Sequence, residues 1–545
     1  MSNKESTVAR GPLPVVLLSL ALVVGAVPAL NVALPNLAAD TSASLSQLQW
    51  IVDAYALVFA GLLLPAGAIG DRYGRKPVLV LGLVIFALGS GLATFTSDPA
   101  TLIALRGVMG VGAAFVMPTT LSTITTSIPN EMRGKAVAAW VGVAGAGAVL
   151  GLLASGLLLE VWEWQSVFAF NAVVGGLAAL AAVRLVPNSR DAHPPKVDFV
   201  GGLLSVVGLA GIVYGAIEGP DRGWNDTVTL AAFGIGFTGL TLWLAWGLIA
   251  EQPLLDPRLF RNRAFSTGVL SITLQFFVFF GYVFVIVQYL QLVLDYSPLQ
   301  TGFALIPMAM VLGGLSRRVP HLAEKVSRRP LAVVGLLLMA VGVGVLSQLS
   351  SGSSYWIVLA GIVPIGAGMA LATSPATTDI VAALPEHKQG VASAVNNAAR
   401  EVGGALGIAV LGSVLNEQYR SGVADAAPAA APPALVEGAQ QSLGAALGIA
   451  STMGERGAQL ATGAREAFTS GMADTLYTAG GLLLLTALLF AFLIPGKSAQ
   501  NSDDEVAAKP DKSSPENADV QLAATLPAVE AATLPAVEAA HRSQT

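Results

Sequence analysis

Fourteen apolar runs, each near the twenty or so residues a helix needs to cross hydrocarbon, decide what this chain can fold into. They lie near 13–34, 50–69, 78–97, 101–126, 136–159, 166–186, 199–217, 227–249, 265–291, 300–320, 331–349, 355–382, 391–416 and 471–494. Helix breakers and charges separate them, as in "SDPA" and "PNSRDAHPPKVD". With 54% of residues hydrophobic and only 12% charged, no single soluble core would absorb the apolar surface, so much of it must face lipid. The fold class is therefore all-α integral membrane, with 14 transmembrane helices, numbered here as spans 1 to 14.

Charge orients the spans. With the N-terminus inside, the inward segments before span 14 carry 19 Lys and Arg, and the short outward loops carry one, Arg222. Basic residues stay in the cytoplasm, so both termini are expected there. Lys4 and Arg10 precede span 1 with no A-x-A-like cleavage site, which reads as a retained span. The 417–470 segment is then extracellular, with a helix-like "GERGAQLATGAREAF". The stretch 495–545, with its direct repeat AATLPAVE, reads as a disordered cytoplasmic tail.

An internal repeat divides the chain. Span 5 opens G-x-A-x-A at Gly134, Ala136 and Ala138, and span 13 opens alike at Gly390, Ala392 and Ala394. At the same 256-residue offset Gly147 matches Gly403, Leu150 matches Leu406 and Gly151 matches Gly407. "EKVSRRP" before span 11 is a degraded copy of "DRYGRKP" before span 3. The expected order is a cytoplasmic N-terminal tail (1–12), a six-helix bundle (13–186) and an inserted helix pair, spans 7 and 8, with flanking loops (187–264). A second six-helix bundle (265–494) holds the extracellular segment, and the tail (495–545) follows. Two pseudo-symmetric six-helix bundles around a midplane site mark a secondary transporter.

The charged residues that interrupt this pattern carry the chemistry. "GAIGDRYGRKP" falls in a tight cytoplasmic loop. Gly67 and Gly74 allow close backbone approach, and Asp71 can meet a helix N-terminus or an Arg. Arg72, Arg75 and Lys76 sit at the anionic leaflet. Asp53 lies in the outer third of span 2, and Arg106 enters span 4 to similar depth, so the two can pair. Arg400 and Glu401 lie roughly 14–15 Å into span 13, near the midplane. An intramembrane charge costs a few kcal/mol or more, so each reads as functional, with a structural ion pair as the alternative. Asn396 shares a helical face with Arg400, and Asn397 with Glu401. The span 5 glycines Gly142, Gly145, Gly147 and Gly151 permit close helix packing.

The ordered string G-x-x-x-D-R-x-G-R-K resembles the signature loop of the major facilitator superfamily. "NVALP", "QWIVDAYAL", "LRGVMGVGAAFVMPTTLS", "IEGPDRGW" and "VNNAAREVGGALGIAVLGS" resemble its fourteen-helix drug:proton antiporter branch, and within it the quaternary-ammonium-compound multidrug exporters. The likeness covers roughly 13–494. It implies that the signature loop latches helices during switching and that Arg106 takes part in proton coupling. It also implies that span 5, through Gly147 and Gly151, carries the antiporter motif. The chain departs from the pattern where the family's Gly-Pro pair becomes Gly151-Leu152 and where the span 1 acid becomes Ala26. A span 10 Asp aligns with Leu312, and paired span 13 acids become Asn396 and Asn397.

Those losses point to a neutral, weakly charged or anionic amphipathic substrate, lined by Asn31, Gln275, Phe276, Gln288, Tyr289, Asn396 and Asn397. The function expected is proton-coupled export of lipophilic small molecules across a bacterial plasma membrane by alternating access. Asp53, Arg106, Arg400 and Glu401 would form the coupling set. The partners are the substrate, protons and lipid, with no nucleic acid, and a monomer suffices. The proton gradient stands in place of a cofactor: there is no G-x-x-x-x-G-K-[ST] string for ATP. There is no cysteine and no H-E-x-x-H, and His193, His321, His387 and His541 all fall in polar stretches, which leaves no metal site and no enzyme. The alternatives are a same-fold transporter of one native metabolite, antibiotic or lipid with different coupling, and a non-transporting membrane sensor.

Overall fold

Each apolar run becomes one helix, with its ends set by local chemistry. In the computed structural model the residues described are 11–190, 197–384, 389–426 and 432–493. The expected disordered tail, most of the N-terminal tail, His193, His387 and His541 lie outside them. Thirteen described helices are long and apolar enough to span a bilayer, and span 5, bent by 48° after Ala144, makes a fourteenth. Spans 1 to 8 run Pro12–Thr41, Leu45–Tyr73, Arg75–Ala93, Pro99–Ser127, Asn130–Leu159, Gln165–Leu185, Phe199–Arg222 and Thr227–Ile249. Spans 9 to 14 run Arg263–Gln288, Pro298–Ser316, Arg328–Leu346, Tyr355–Ala382, Gln389–Ala426 and Glu455–Leu493. A π-turn, Tyr289–Val293, continues span 9.

Polar residues at the run ends start the helices. Ser44 and Gln47 form a reciprocal capping box at span 2, and Ser297 and Gln300 form another at span 10, where Pro298 takes the first helical position. Asp198 caps span 7 through the Gly201 amide and also accepts from Trp246 Nε1 at 2.9 Å and the Leu254 amide at 3.1 Å. One carboxylate thus ties both inserted spans to the loop behind them.

Packing repeats itself across the halves. Span 1 packs on 5, 2 on 4, 3 on 4 and 3 on 6; in parallel, 9 packs on 13, 10 on 12, 11 on 12 and 11 on 14. The 256-residue offset extends from sequence into geometry. Gly151 crosses span 1 at Gly25, and Gly407 crosses span 9 beside Gly281, the residue 256 positions after Gly25. A Cβ on Gly151 would stand 2.3 Å from the Gly25 carbonyl oxygen, and one on Gly407 would stand 2.0 Å from that of Phe277. These helices cross backbone to backbone, which only glycine permits.

The halves meet at the end of the bundle away from the Asp71 loop. Gln49 Nε2 of span 2 donates to the Ile408 and Ala409 carbonyls of span 13, at 2.9 and 3.2 Å. Gln291 Nε2 donates to the Val32 carbonyl at 2.9 Å, and Ser297 bonds Glu160. The inserted span 7 lies against this joint. Val213, Ala216 and Ile217 share one apolar cluster with Ala56 and Leu57 of span 2 and Ala405 and Ala409 of span 13. Polar contacts continue it: Trp50 Nε1 to Glu218 at 3.0 Å, Ser413 Oγ to the Ala216 carbonyl at 2.6 Å, and Arg420 to Asp221.

The signature loop is held by its own residues and by the stretch after span 6. Arg75 reaches Asp71 at 2.8 Å, and its amide donates to the Ser189 carbonyl at 2.9 Å. Gly74 sits at φ 110° with Asn188 and Arg190 close against it. Arg72 is exposed and Lys76 is half-buried. In the degraded copy Ser327 takes the glycine's place yet keeps a glycine-like backbone, φ 74° and ψ 160°. That region is strained for any residue with a Cβ. Ser327→Gly is therefore expected to raise stability by about 1 kcal/mol, read as a higher melting temperature in detergent; an unchanged or lower value would contradict the strain.

Candidate functional site

The deepest polar side chains gather where spans 2, 4, 9 and 13 face one another. Arg106 is almost fully buried. Its Nε donates to the Ile51 carbonyl at 2.8 Å, and its guanidinium lies over the Tyr55 ring, 4.3 Å from the centroid. Tyr55 in turn donates to the Val23 carbonyl of span 1 at 2.9 Å. One cation thereby holds three helices of the first half together. Asp53 is wholly buried at the same level.

The expected Asp53–Arg106 ion pair is not made among the described residues. Arg106 spends its Nε on backbone and its face on the aromatic ring, and both Asp53 oxygens lack a hydrogen-bond partner there. The physical reason is register. Ile51 and Tyr55 are four apart and share the face that meets span 4, while Asp53 sits between them, about 200° round the helix from Ile51. Arg106 remains close enough to act on Asp53 electrostatically.

The second half supplies the matching charges. Arg400 and Glu401 are half-buried on span 13, with the Arg400 guanidinium 5.1 Å from the Phe276 ring centroid on span 9. Glu401 feels Arg400 directly and also lies within electrostatic reach of Tyr55 in the other half. Phe276 packs edge and face against Phe279 and Phe280, so the Arg400 site is walled by rings.

The proposed lining residues divide. Asn396 accepts from Thr377 Oγ1 at 3.3 Å, Asn397 is half-buried, and Asn31 keeps its carbonyl oxygen unpartnered. Gln275 sits between Ser271 and Thr373, at 2.7 Å each. Gln288 bonds the Phe284 carbonyl one turn back, and Tyr289 reaches the Ser350 carbonyl at 2.7 Å. Those last two are engaged in holding span 9 and its π-turn. Gly147 and Gly151 lie at the span 1 crossing, and Gly67 sits beside Pro118 of span 4.

Three residues went unread in the sequence. Tyr55 was signalled only by sharing a face with Ile51. Gln49 was one polar residue among several at the head of span 2. Asp379 lay inside an apolar run near its inner end, and the five basic residues between spans 10 and 11 were its cue. In the structure it pairs with Arg328 at 2.6 Å. The second half thus has its own Asp–Arg clasp at the level of the first half's Asp71–Arg75.

Comparison with known proteins places this geometry. The Major Facilitator Superfamily profile matches residues 16–408. The chain belongs to the Major Facilitator Superfamily. Among members of that superfamily it is 34% identical to the multidrug efflux pump LfrA of Mycolicibacterium smegmatis, over 84% of this chain and 90% of the relative. It is 34% identical to the puromycin resistance protein pur8 of Streptomyces alboniger, over 82% of this chain and 91% of the relative. To the methyl viologen resistance protein SmvA of Salmonella typhimurium it is 32% identical, over 84% and 93%. A solved bacterial homologue of the human lysosomal transporter Spinster, inward-facing and occupied, shares the fold at a TM-score of 0.61, with 17% identity over 90% of this chain and 97% of that one. As a superfamily member the protein is a multi-pass membrane transporter and not an enzyme.

Tyr55 offers a test of how this cluster is built. Tyr55→Phe keeps the ring under Arg106 and removes the hydrogen bond to Val23, so a stability loss of about 1 kcal/mol is expected with transport retained. Melting and efflux measured on one preparation check it. Abolished transport would make the hydroxyl part of the proton path.

Proposed function

We propose that this protein is a proton-coupled exporter of lipophilic, amphipathic small molecules, working by alternating access in a bacterial plasma membrane with both termini in the cytoplasm. The observation that carries the reading is the charged cluster across the seam between the halves. Asp53 and Arg106 sit on one side and Arg400 and Glu401 on the other, with Tyr55 between them. Carboxylates at a moving joint change charge when the joint changes its access to water. The 19-to-1 distribution of basic residues supports the orientation. In that frame the contacts of Gln49 and Gln291 hold the outer end closed.

The steps follow from this chain's own groups. In the inward state Glu401 and Asp53 release protons to the cytoplasm, and a lipophilic compound enters among Phe276, Asn396 and Asn397. Closing the inner end, with the Asp71–Arg75 and Asp379–Arg328 clasps as its hinges, breaks the Gln49 and Gln291 contacts at the outer end. Protons arriving from outside then neutralise the carboxylates and free the compound to leave. A monomer holds the whole cluster.

Substrate charge is the part most open to direct test. Ala26, Leu312, Asn396 and Asn397 stand where quaternary-ammonium exporters are expected to carry acids, which favours a neutral, weakly charged or anionic compound over a cation. Proteoliposomes with an inward proton gradient should move a neutral lipophilic dye faster than a cationic one. The reverse order would overturn the substrate assignment. A second reading, export of one particular antibiotic, is favoured by relatives named for single compounds, puromycin and tetracenomycin C. Failure of both dyes beside gradient-driven movement of an antibiotic would select it.

A further inference from the structure

A crevice of about 200 Å³ runs between spans 1, 5 and 6, and none of the charged cluster's residues lines it. Its floor is the Gly25–Gly151 crossing, where two backbones touch and no side chain fills the space above them. Its mouth opens sideways between Leu18, Leu150 and Phe170, which are 44%, 54% and 41% exposed on a face that a bilayer covers. The walls are apolar except at one level, where Ser155 and Asn171 stand. Ser155 is 1% exposed, and its hydroxyl has no hydrogen-bond partner. A buried hydroxyl left unpaired is costly, and a mid-helix serine usually satisfies itself on the preceding turn.

Depth identifies what fits. Ser155 lies four residues from the Leu159 end of span 5, about 6 Å below it, and Asn171 lies six residues from the Gln165 start of span 6, about 9 Å below. Counted from those helix ends, both residues stand near one face of a bilayer about 40–45 Å thick across its headgroups, within reach of that leaflet's ester groups. The site therefore offers one hydroxyl donor at ester depth and, beyond it, an apolar slot running over the glycine crossing towards Leu18.

We propose that the crevice is a phospholipid site. An acyl chain lies over the Gly25–Gly151 crossing, and its ester carbonyl accepts a hydrogen bond from Ser155 Oγ, with the Asn171 amide beside it. The lipid fills the space that the glycines leave open and so seals a backbone-to-backbone contact from the membrane side. This inference stands apart from the proposed proton coupling, because none of its residues belongs to that cluster.

The test uses full-length protein in detergent, stripped of lipid and titrated with phosphatidylglycerol, with bound lipid counted by native mass spectrometry. Wild type should retain one lipid more than Ala154→Phe, whose ring fills the slot. Ser155→Ala should weaken that site by about threefold to tenfold. An ether-linked lipid of the same chain length lacks the ester carbonyl and should bind wild type as weakly as the ester lipid binds Ser155→Ala. Equal lipid counts in wild type and Ala154→Phe would overturn the site. Equal binding of ester and ether lipids to wild type would overturn the Ser155 contact, and that comparison decides even if a variant fails to fold.

Discussion

Glu401→Gln should abolish gradient-driven transport while leaving the fold and substrate binding in place. The substitution keeps the shape of a half-buried side chain next to Arg400 and removes its ability to gain and lose a proton. The expected size follows from thermodynamics. If one proton is exchanged per substrate, each pH unit across the membrane sustains about a tenfold substrate gradient, because 1.4 kcal/mol is a factor of ten. The variant should reach no gradient at any imposed pH difference, yet still equilibrate substrate down its own gradient. Asp53→Asn separates the two carboxylates: if Glu401→Gln keeps coupling and Asp53→Asn loses it, the coupling role moves to span 2.

Gly407→Ala should be among the most damaging single-methyl changes in the chain. The new Cβ would stand 2.0 Å from the Phe277 carbonyl oxygen, and that atom belongs to a helical backbone that cannot step aside alone. Spans 9 and 13 would have to part, at a cost near the top of the overpacking range, about 3 kcal/mol. Because Arg400 and Glu401 lie two turns before Gly407 on span 13, parting the helices also moves Arg400 off the Phe276 ring. Melting temperature and transport should therefore fall together. Gly151→Ala, with 2.3 Å to the Gly25 carbonyl oxygen, should behave alike in the other half. A variant at Gly407 that melts like wild type would show that the crossing has slack.

What the sequence made legible, and what it hid, divides along physical lines. Spans were readable because lipid demands long apolar runs, and their order survived into the structure with ends shifted by a few residues. The glycine repeat was readable because a 256-residue offset in sequence is also an offset in packing. The continuation of spans 13 and 14 to Ala426 and back to Glu455 was less legible. Those stretches are alanine-rich, so they form helix without the apolar signal that marks a span. The partner of Arg106 was not legible at all. Charge complementarity suggests Asp53, but a guanidinium can satisfy itself on a carbonyl and a ring, and helical register decides which it meets. Ser327 was hidden for a similar reason: a serine gives no warning that the backbone has kept its glycine-like turn.

On the proposed mechanism, proton movement through Asp53 and Glu401 drives export. The most direct test is the steady-state substrate ratio across proteoliposomes, measured as the imposed pH difference is stepped with membrane potential clamped to zero. The ratio should rise about tenfold per pH unit for each proton exchanged, with a flat line for Glu401→Gln. A wild-type ratio that does not change with the pH difference would contradict it.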